Sequence, residues 1–91
     1  SDYNMVGELY VEMDDLGKAE RFFNQSISIS KQINAQPELA CTYYNLGLLY
    51  KKRGQKNKTR DYFRQAQDIY RLMDTPDYQE IKQELLNLDD Q

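Results

Sequence analysis

Apolar residues recur at spacings of three and four at the start of the chain, at Tyr3, Val6, Tyr10 and Met13, which puts them on one face of a helix ending near Asp14. Asp14 and Asp15 carry turn and N-cap chemistry. A second helix follows, with Ala19, Phe22, Phe23, Ser26, Ile27 and Ile33 along a broad inner face. Asn34 suits a left-handed close to it. Pro37 fits the first turn of a third helix, where its missing N–H has no partner to lose. That helix carries the stripe Leu39, Tyr43, Leu46 and Tyr50 and ends at Gly54, with Lys51 to Arg53 complementing the negative end of its dipole. A fourth helix holds Tyr62, Phe63, Ala66, Ile69, Tyr70 and Met73. Thr75 and Pro76 read as a cap and first-turn pair for a fifth. Its stripe is narrow, Tyr78, Ile81, Leu85 and Leu88, and opposes a polar outer face that includes Glu80, Lys82, Gln83 and Glu84.

The pattern repeats. Shifting the chain by 40 residues superposes Tyr3 on Tyr43, Gly7 on Gly47, Leu9 on Leu49, Tyr10 on Tyr50, Lys18 on Lys58, Phe23 on Phe63, Gln25 on Gln65 and Ile29 on Ile69. The expected organisation is two helix pairs, 1–34 and 36–74, followed by a capping helix and tail over 75–91. A terminal element with a polar exterior is what an array of repeats needs at its end. Nothing comparable precedes Tyr3, so the N-terminal face should be adhesive.

Composition narrows the function classes. The chain has no His, which removes imidazole acid–base catalysis and histidine-bound metals, and it shows no glycine-rich phosphate loop. Its one cysteine, Cys41, cannot form an internal disulfide, and a packing role fits it better than nucleophilic chemistry. Neither Asp14–Asp15 nor Asp89–Asp90 has the alternating ligands of a calcium loop. No catalytic residue, metal or cofactor is expected. A net charge of −3 argues against nucleic acid as partner, and the basic run Lys51, Lys52, Arg53, Lys56, Lys58 and Arg60 lacks interleaved aromatics for base stacking. No apolar run approaches the length of a membrane span and no signal-peptide pattern is present, so a cytoplasmic protein is expected. Ser1 in place of an initiating Met suggests a piece of a longer protein.

The series Tyr3, Val6, Gly7, Tyr10, Ala19, Phe23, and again Tyr43, Leu46, Gly47, Tyr50, Phe63, Ala66, resembles the tetratricopeptide repeat. The period exceeds that family's usual length of about 34. In this it is similar to the longer-helix subclass of kinesin light chains, G-protein-signalling modulators and the peptide-sensing regulators of Gram-positive bacteria. Thr59 and Ser26 stand where the motif prefers Ala and should loosen packing. The resemblance implies an all-α fold, two helix-turn-helix repeats in a right-handed superhelix, and a protein- or peptide-binding scaffold that is not an enzyme.

In such a fold the first helix of each unit lines a concave face. From the first unit Asn4, Glu8, Val11 and Glu12 would project there. From the second, Tyr44, Asn45, Leu48, Lys51 and Lys52 would do so. The Tyr44-Asn45-Leu46-Gly47 run resembles the subclass in which the Asn side chain grips a bound peptide backbone, which makes Asn45 the leading single candidate. Acidic Glu8 and Glu12 on one side and basic Lys51 and Lys52 on the other would suit a partner of mixed charge. The alternative is self-association, a homodimer or an intramolecular docking through the uncovered N-terminal helix.

Overall fold

The computed structural model describes residues 2–73 and 76–90. Five α-helices follow in order: α1 (Tyr3–Glu12), α2 (Leu16–Gln32), α3 (Gln36–Lys52), α4 (Lys56–Met73) and α5 (Asp77–Asp89). The expected cap at Thr75 lies outside the described residues. The three tight turns share one construction. Asp14, Asn34 and Gly54 take left-handed φ values of 61°, 55° and 74°. The next N–H in each case reaches back five residues, from Asp15 to Tyr10, Ala35 to Ser30 and Gln55 to Tyr50, at 2.8–3.0 Å. These six-to-one bonds satisfy carbonyls that a helix end leaves open, and Asp, Asn and Gly are the residues that tolerate the left-handed step. Asp2 and Asp15 cap α1 and α2 through their carboxylates.

The 40-residue repeat reappears as a repeated packing unit. Phe22 stacks on Tyr3 and Tyr10, with ring centroids 5.9 and 5.4 Å apart, and Tyr62 meets Tyr43 and Tyr50 at 6.2 and 5.6 Å. Lys18 sits over Tyr10 and Lys58 over Tyr50. Gly7 faces the ring of Phe23 as Gly47 faces that of Phe63, and in both places a Cβ would collide with the ring. Two core clusters result. One joins Ala19 and Phe23 to Leu46, Leu49 and Tyr50, and the other joins Leu39, Ala40 and Tyr43 to Phe63, Ala66, Tyr70 and Ile81. α3 is therefore buried between two layers, whereas among the residues of α1 only Gly7 is buried.

Two expected core residues fall outside the core. Met13 and Ile33 are 70% and 68% exposed. Both are C-cap residues, where the chain already bends toward its left-handed step, and a helical face can no longer be extrapolated through them. Ser26 and Thr59 do not loosen the core. The Ser26 and Thr42 hydroxyls share a hydrogen bond of 2.9 Å, and Thr59 Oγ1 donates to the Gln55 carbonyl at 2.9 Å, so each buried hydroxyl is satisfied.

Glu20 ties α2 to the end of α3. It accepts from the Tyr50 hydroxyl and, at 3.0 Å, from Arg53 Nη1. Burial alone would raise its carboxyl, but those two hydrogen bonds, with the charges of Arg53 and Lys58, outweigh it and hold the group below its ordinary value of 4.5. Burial, followed by Glu20, pushes the Tyr50 hydroxyl up to about 12. A carboxyl that titrates lower folded than unfolded adds stability above its unfolded pKa and loses it as pH falls through the folded one. Thermal melts should therefore fall as pH drops below about 4.5, and Glu20→Gln should remove that part of the profile. Superimposable profiles for parent and variant would dismiss the charge of Glu20 as the cause.

Candidate functional site

α1, α3 and α5 line one side of the molecule, and two adjoining cavities lie between them. The larger, about 410 Å³, runs between α1 and α3 past Val11, Glu12 and Leu48. The smaller, about 230 Å³, lies between α3 and α5 and is lined by Cys41, Tyr44, Tyr70, Asp77 and Glu80. Glu8 and Asn45 border both. Of the expected first-helix residues, Glu8, Val11, Glu12, Tyr44, Asn45 and Leu48 line these two cavities, whereas Asn4, Lys51 and Lys52 do not. Several are already engaged.

Asn45 is the clearest case. It is 9% exposed, and its amide nitrogen donates to Asn4 Oδ1 at 2.9 Å and to Glu8 Oε1 at 3.2 Å. Asn4 accepts a further bond from Thr42 Oγ1 at 3.2 Å, and its own amide donates to Cys41 Sγ at 3.5 Å. This polar strap joins α1 to α3. Burial pushes the Cys41 thiol up, since a thiolate there would lose hydration.

Tyr44 stacks on Phe63 at 5.4 Å and bonds to Glu80; burial first, then Glu80 and Glu84, pushes its hydroxyl up to about 12. Lys51 pairs with Glu84 at 3.5 Å, and neither Lys51 nor Lys52 lines a cavity. The groove is accordingly not divided into acidic and basic halves of equal weight. Glu80 and Glu84, expected on the outer face of α5, turn toward α3 instead, because α5 packs with one flank against the groove. Asp77, Glu80 and Glu84 recur at spacings of three and four, a signal already in the sequence. Tyr70 was expected only as core. It is 8% exposed, and among the described residues no hydrogen bond reaches its hydroxyl, which burial and then Cys41, Asp77 and Glu80 push upward.

The basic run is largely spoken for, with Arg53 on Glu20, Arg60 on Asp89 at 2.6 Å and Lys58 over Tyr50. Among the described residues no three His, Cys, Asp or Glu side chains are grouped to hold a metal ion. No helix there is long and apolar enough to cross a membrane.

A family model described as tetratricopeptide repeat matches residues 2–71. Response regulator aspartate phosphatase E of Bacillus subtilis (strain 168) is 37% identical over 61 residues, which cover 67% of this chain and 16% of that protein. The chain therefore corresponds to a small part of that relative. No solved structure matches.

Proposed function

The chain belongs to the tetratricopeptide-repeat family, and from that premise we propose that it is a binding module whose α1–α3–α5 groove holds an extended peptide or protein segment bearing an arginine or lysine side chain. The observation that carries this reading is the cavity between α3 and α5. It combines the carboxylates of Glu8, Asp77 and Glu80 with a buried Tyr70 hydroxyl that has no hydrogen bond among the described residues. A guanidinium or ammonium group brings donors only, which the three carboxylates and the Tyr70 hydroxyl oxygen can accept. Asn45, at the rim of both cavities, would meet the peptide backbone by trading its bond to Glu8.

The reading carries no bond-making step. The relative named above is called a phosphatase, and only 16% of it is matched by this chain. Cys41 is a free thiol, which goes with a reducing, cytoplasmic setting. Self-association through α1 draws support from its exposed Met5, Leu9 and Met13, yet residues 2–17 hold acidic side chains and no Lys or Arg to offset them across a two-fold axis.

The test is amide shift mapping with three hexapeptide pools that fix Arg, Ala or Glu at one central position and randomise the rest. The Arg pool should shift Tyr44, Asn45 and Tyr70 while the Glu pool does not, and Glu80→Lys should abolish the response. Shifts confined to the outer faces of α2 and α4, or equal shifts from all three pools, would reject the groove.

A further inference from the structure

We propose that Cys41 is a covalent site for a small cationic thiol, delivered as its disulfide, whose ammonium group lodges among the carboxylates of the α3–α5 cavity. Cys41 stands on α3 between Ala40 and Thr42, which are both fully buried, yet it is itself only half-buried and lines that cavity. An inert structural cysteine is a buried one, whereas this sulfur opens onto space. It is free of any disulfide, and the Asn4 amide donates to it at 3.5 Å.

The surroundings of the sulfur specify the reagent. Glu8, Asp77 and Glu80 line the same cavity, and no Lys or Arg does. Tyr70 is an independent mark of a ligand. Its side chain is more than nine-tenths buried and its hydroxyl has no hydrogen bond among the described residues. Burial first, then Cys41, Asp77 and Glu80, push that hydroxyl upward. Those three all line the cavity, so the hydroxyl faces into it. An ammonium group finds acceptors there in the carboxylates and the phenol oxygen. The same acidic surroundings disfavour a thiolate. Burial above all pushes the Cys41 thiol up, and although the Asn4 bond opposes this, the charges of Glu8, Asp2 and Asp77 add to it. An anionic disulfide meets that repulsion on entry and does nothing to relieve it at the sulfur. A cationic one offsets it at both.

The exchange balances with the disulfide as its only co-reactant. Cys41 Sγ, as thiolate, attacks one sulfur of R–S–S–R, and that S–S bond breaks as the new one forms. The departing thiolate takes up the proton that Cys41 gave up, which leaves Cys41–S–S–R and R–SH. In a reducing setting such an adduct is transient, as in redox-sensing cysteines. While it lasts, its ammonium occupies the carboxylates offered to the peptide's cation and closes the cavity to it. That consequence rests on the peptide reading above, whereas the thiol site itself does not.

Three small disulfides separate charge from reactivity: cystamine, a dication; hydroxyethyl disulfide, neutral; and dithiodiglycolate, a dianion. Adduct formation on the native chain is followed by intact mass, and each rate is divided by the rate on the urea-unfolded chain, which cancels the reagents' own reactivities. At low salt that ratio should be at least roughly tenfold higher for cystamine than for dithiodiglycolate, and the gap should shrink in high salt. Asp77→Asn combined with Glu80→Gln should remove most of the preference, and Cys41→Ser should take no adduct, with far-UV circular dichroism showing both variants folded. The cystamine adduct should shift the amides of Tyr44, Tyr70 and Glu80. Equal ratios for the three reagents, a preference that the double variant leaves intact, protection of Cys41 from all three, or shifts that spare Tyr70 and Glu80 would overturn the proposal. So would a response to the Arg pool that survives the adduct, since the ammonium would then lie elsewhere. An unmodified chain that ignores the Arg pool but keeps its preference for cystamine would reject the peptide reading alone and leave the thiol site standing.

Discussion

Phe63→Ala should cost about 3–5 kcal/mol, a large share of what a 91-residue chain has to lose, and should leave little cooperative unfolding in a urea titration. Phe63 is fully buried, stacks under Tyr44 and fills the hollow over Gly47. Removing the ring leaves a cavity between α3 and α4, next to Gly47 and Tyr44. The same contact predicts the effect of adding a single methyl group. At Gly47 a Cβ would overlap the Phe63 ring, so Gly47→Ala should destabilise by about 1–3 kcal/mol through overpacking. At Gly17, near the start of α2, a Cβ meets nothing within 4 Å, so Gly17→Ala should stabilise by about 0.4–1 kcal/mol through the unfolded chain. The opposite signs of one substitution at two helical glycines are the sharper test. If Gly47→Ala proved neutral, the close approach of α3 to that ring would be wrong. A Phe63→Leu background should relieve part of the Gly47→Ala penalty, because the two changes share one space.

That contact was legible in the sequence because Gly7 and Phe23 repeat it forty residues earlier. The turns were legible for a related reason: Asp14, Asn34 and Gly54 are residue types that accept a left-handed φ. Legibility failed where a residue's surroundings depend on a partner outside its own helix. Met13 and Ile33 continue an apolar spacing, yet each sits at a C-cap beyond the face it seemed to extend. Glu80 and Glu84 read as solvent-facing on α5, because periodicity separates an apolar stripe from the rest but does not say which polar flank meets α3. Glu8, Val11 and Glu12 from α1 and Tyr44, Asn45 and Leu48 from α3 line the two cavities, and Asn4, Lys51 and Lys52 stand outside them. What the spacing could not show is that the Asn45 amide nitrogen is already bonded twice to α1, that Lys51 is paired, and that Tyr70 brings to the α3–α5 cavity a hydroxyl with no hydrogen bond among the described residues.

Asn45 carries the second large expected effect. Its amide donates at once to Asn4 and to Glu8, so the side chain is a strap between α1 and α3 before it is anything else. Asn45→Asp keeps the shape and replaces the donor by an acceptor. At neutral pH this would set a new carboxylate against Glu8 and leave Asn4 Oδ1 without its shortest donor, a loss of about 2–3 kcal/mol. For a domain of this size each kcal/mol moves the melting temperature by about 4–8 °C, so a drop of roughly 10–20 °C is expected. The sign of its pH dependence distinguishes charge from shape. Two carboxyls that repel in the fold titrate higher there than in the unfolded chain, so the penalty is fully present at neutral pH and shrinks as pH falls and one of them takes up a proton. Melting temperatures of parent and variant should therefore converge below about pH 5. Asn45→Ala, which loses the same donor but adds no charge, should show a smaller penalty without that convergence. An Asn45→Asp penalty constant from pH 7 to pH 4 would mean that Glu8 is not close enough to feel the change. The bond to Glu8 would then be no part of the strap, and Asn45 would be free to meet a peptide without giving up any of the stability it supplies.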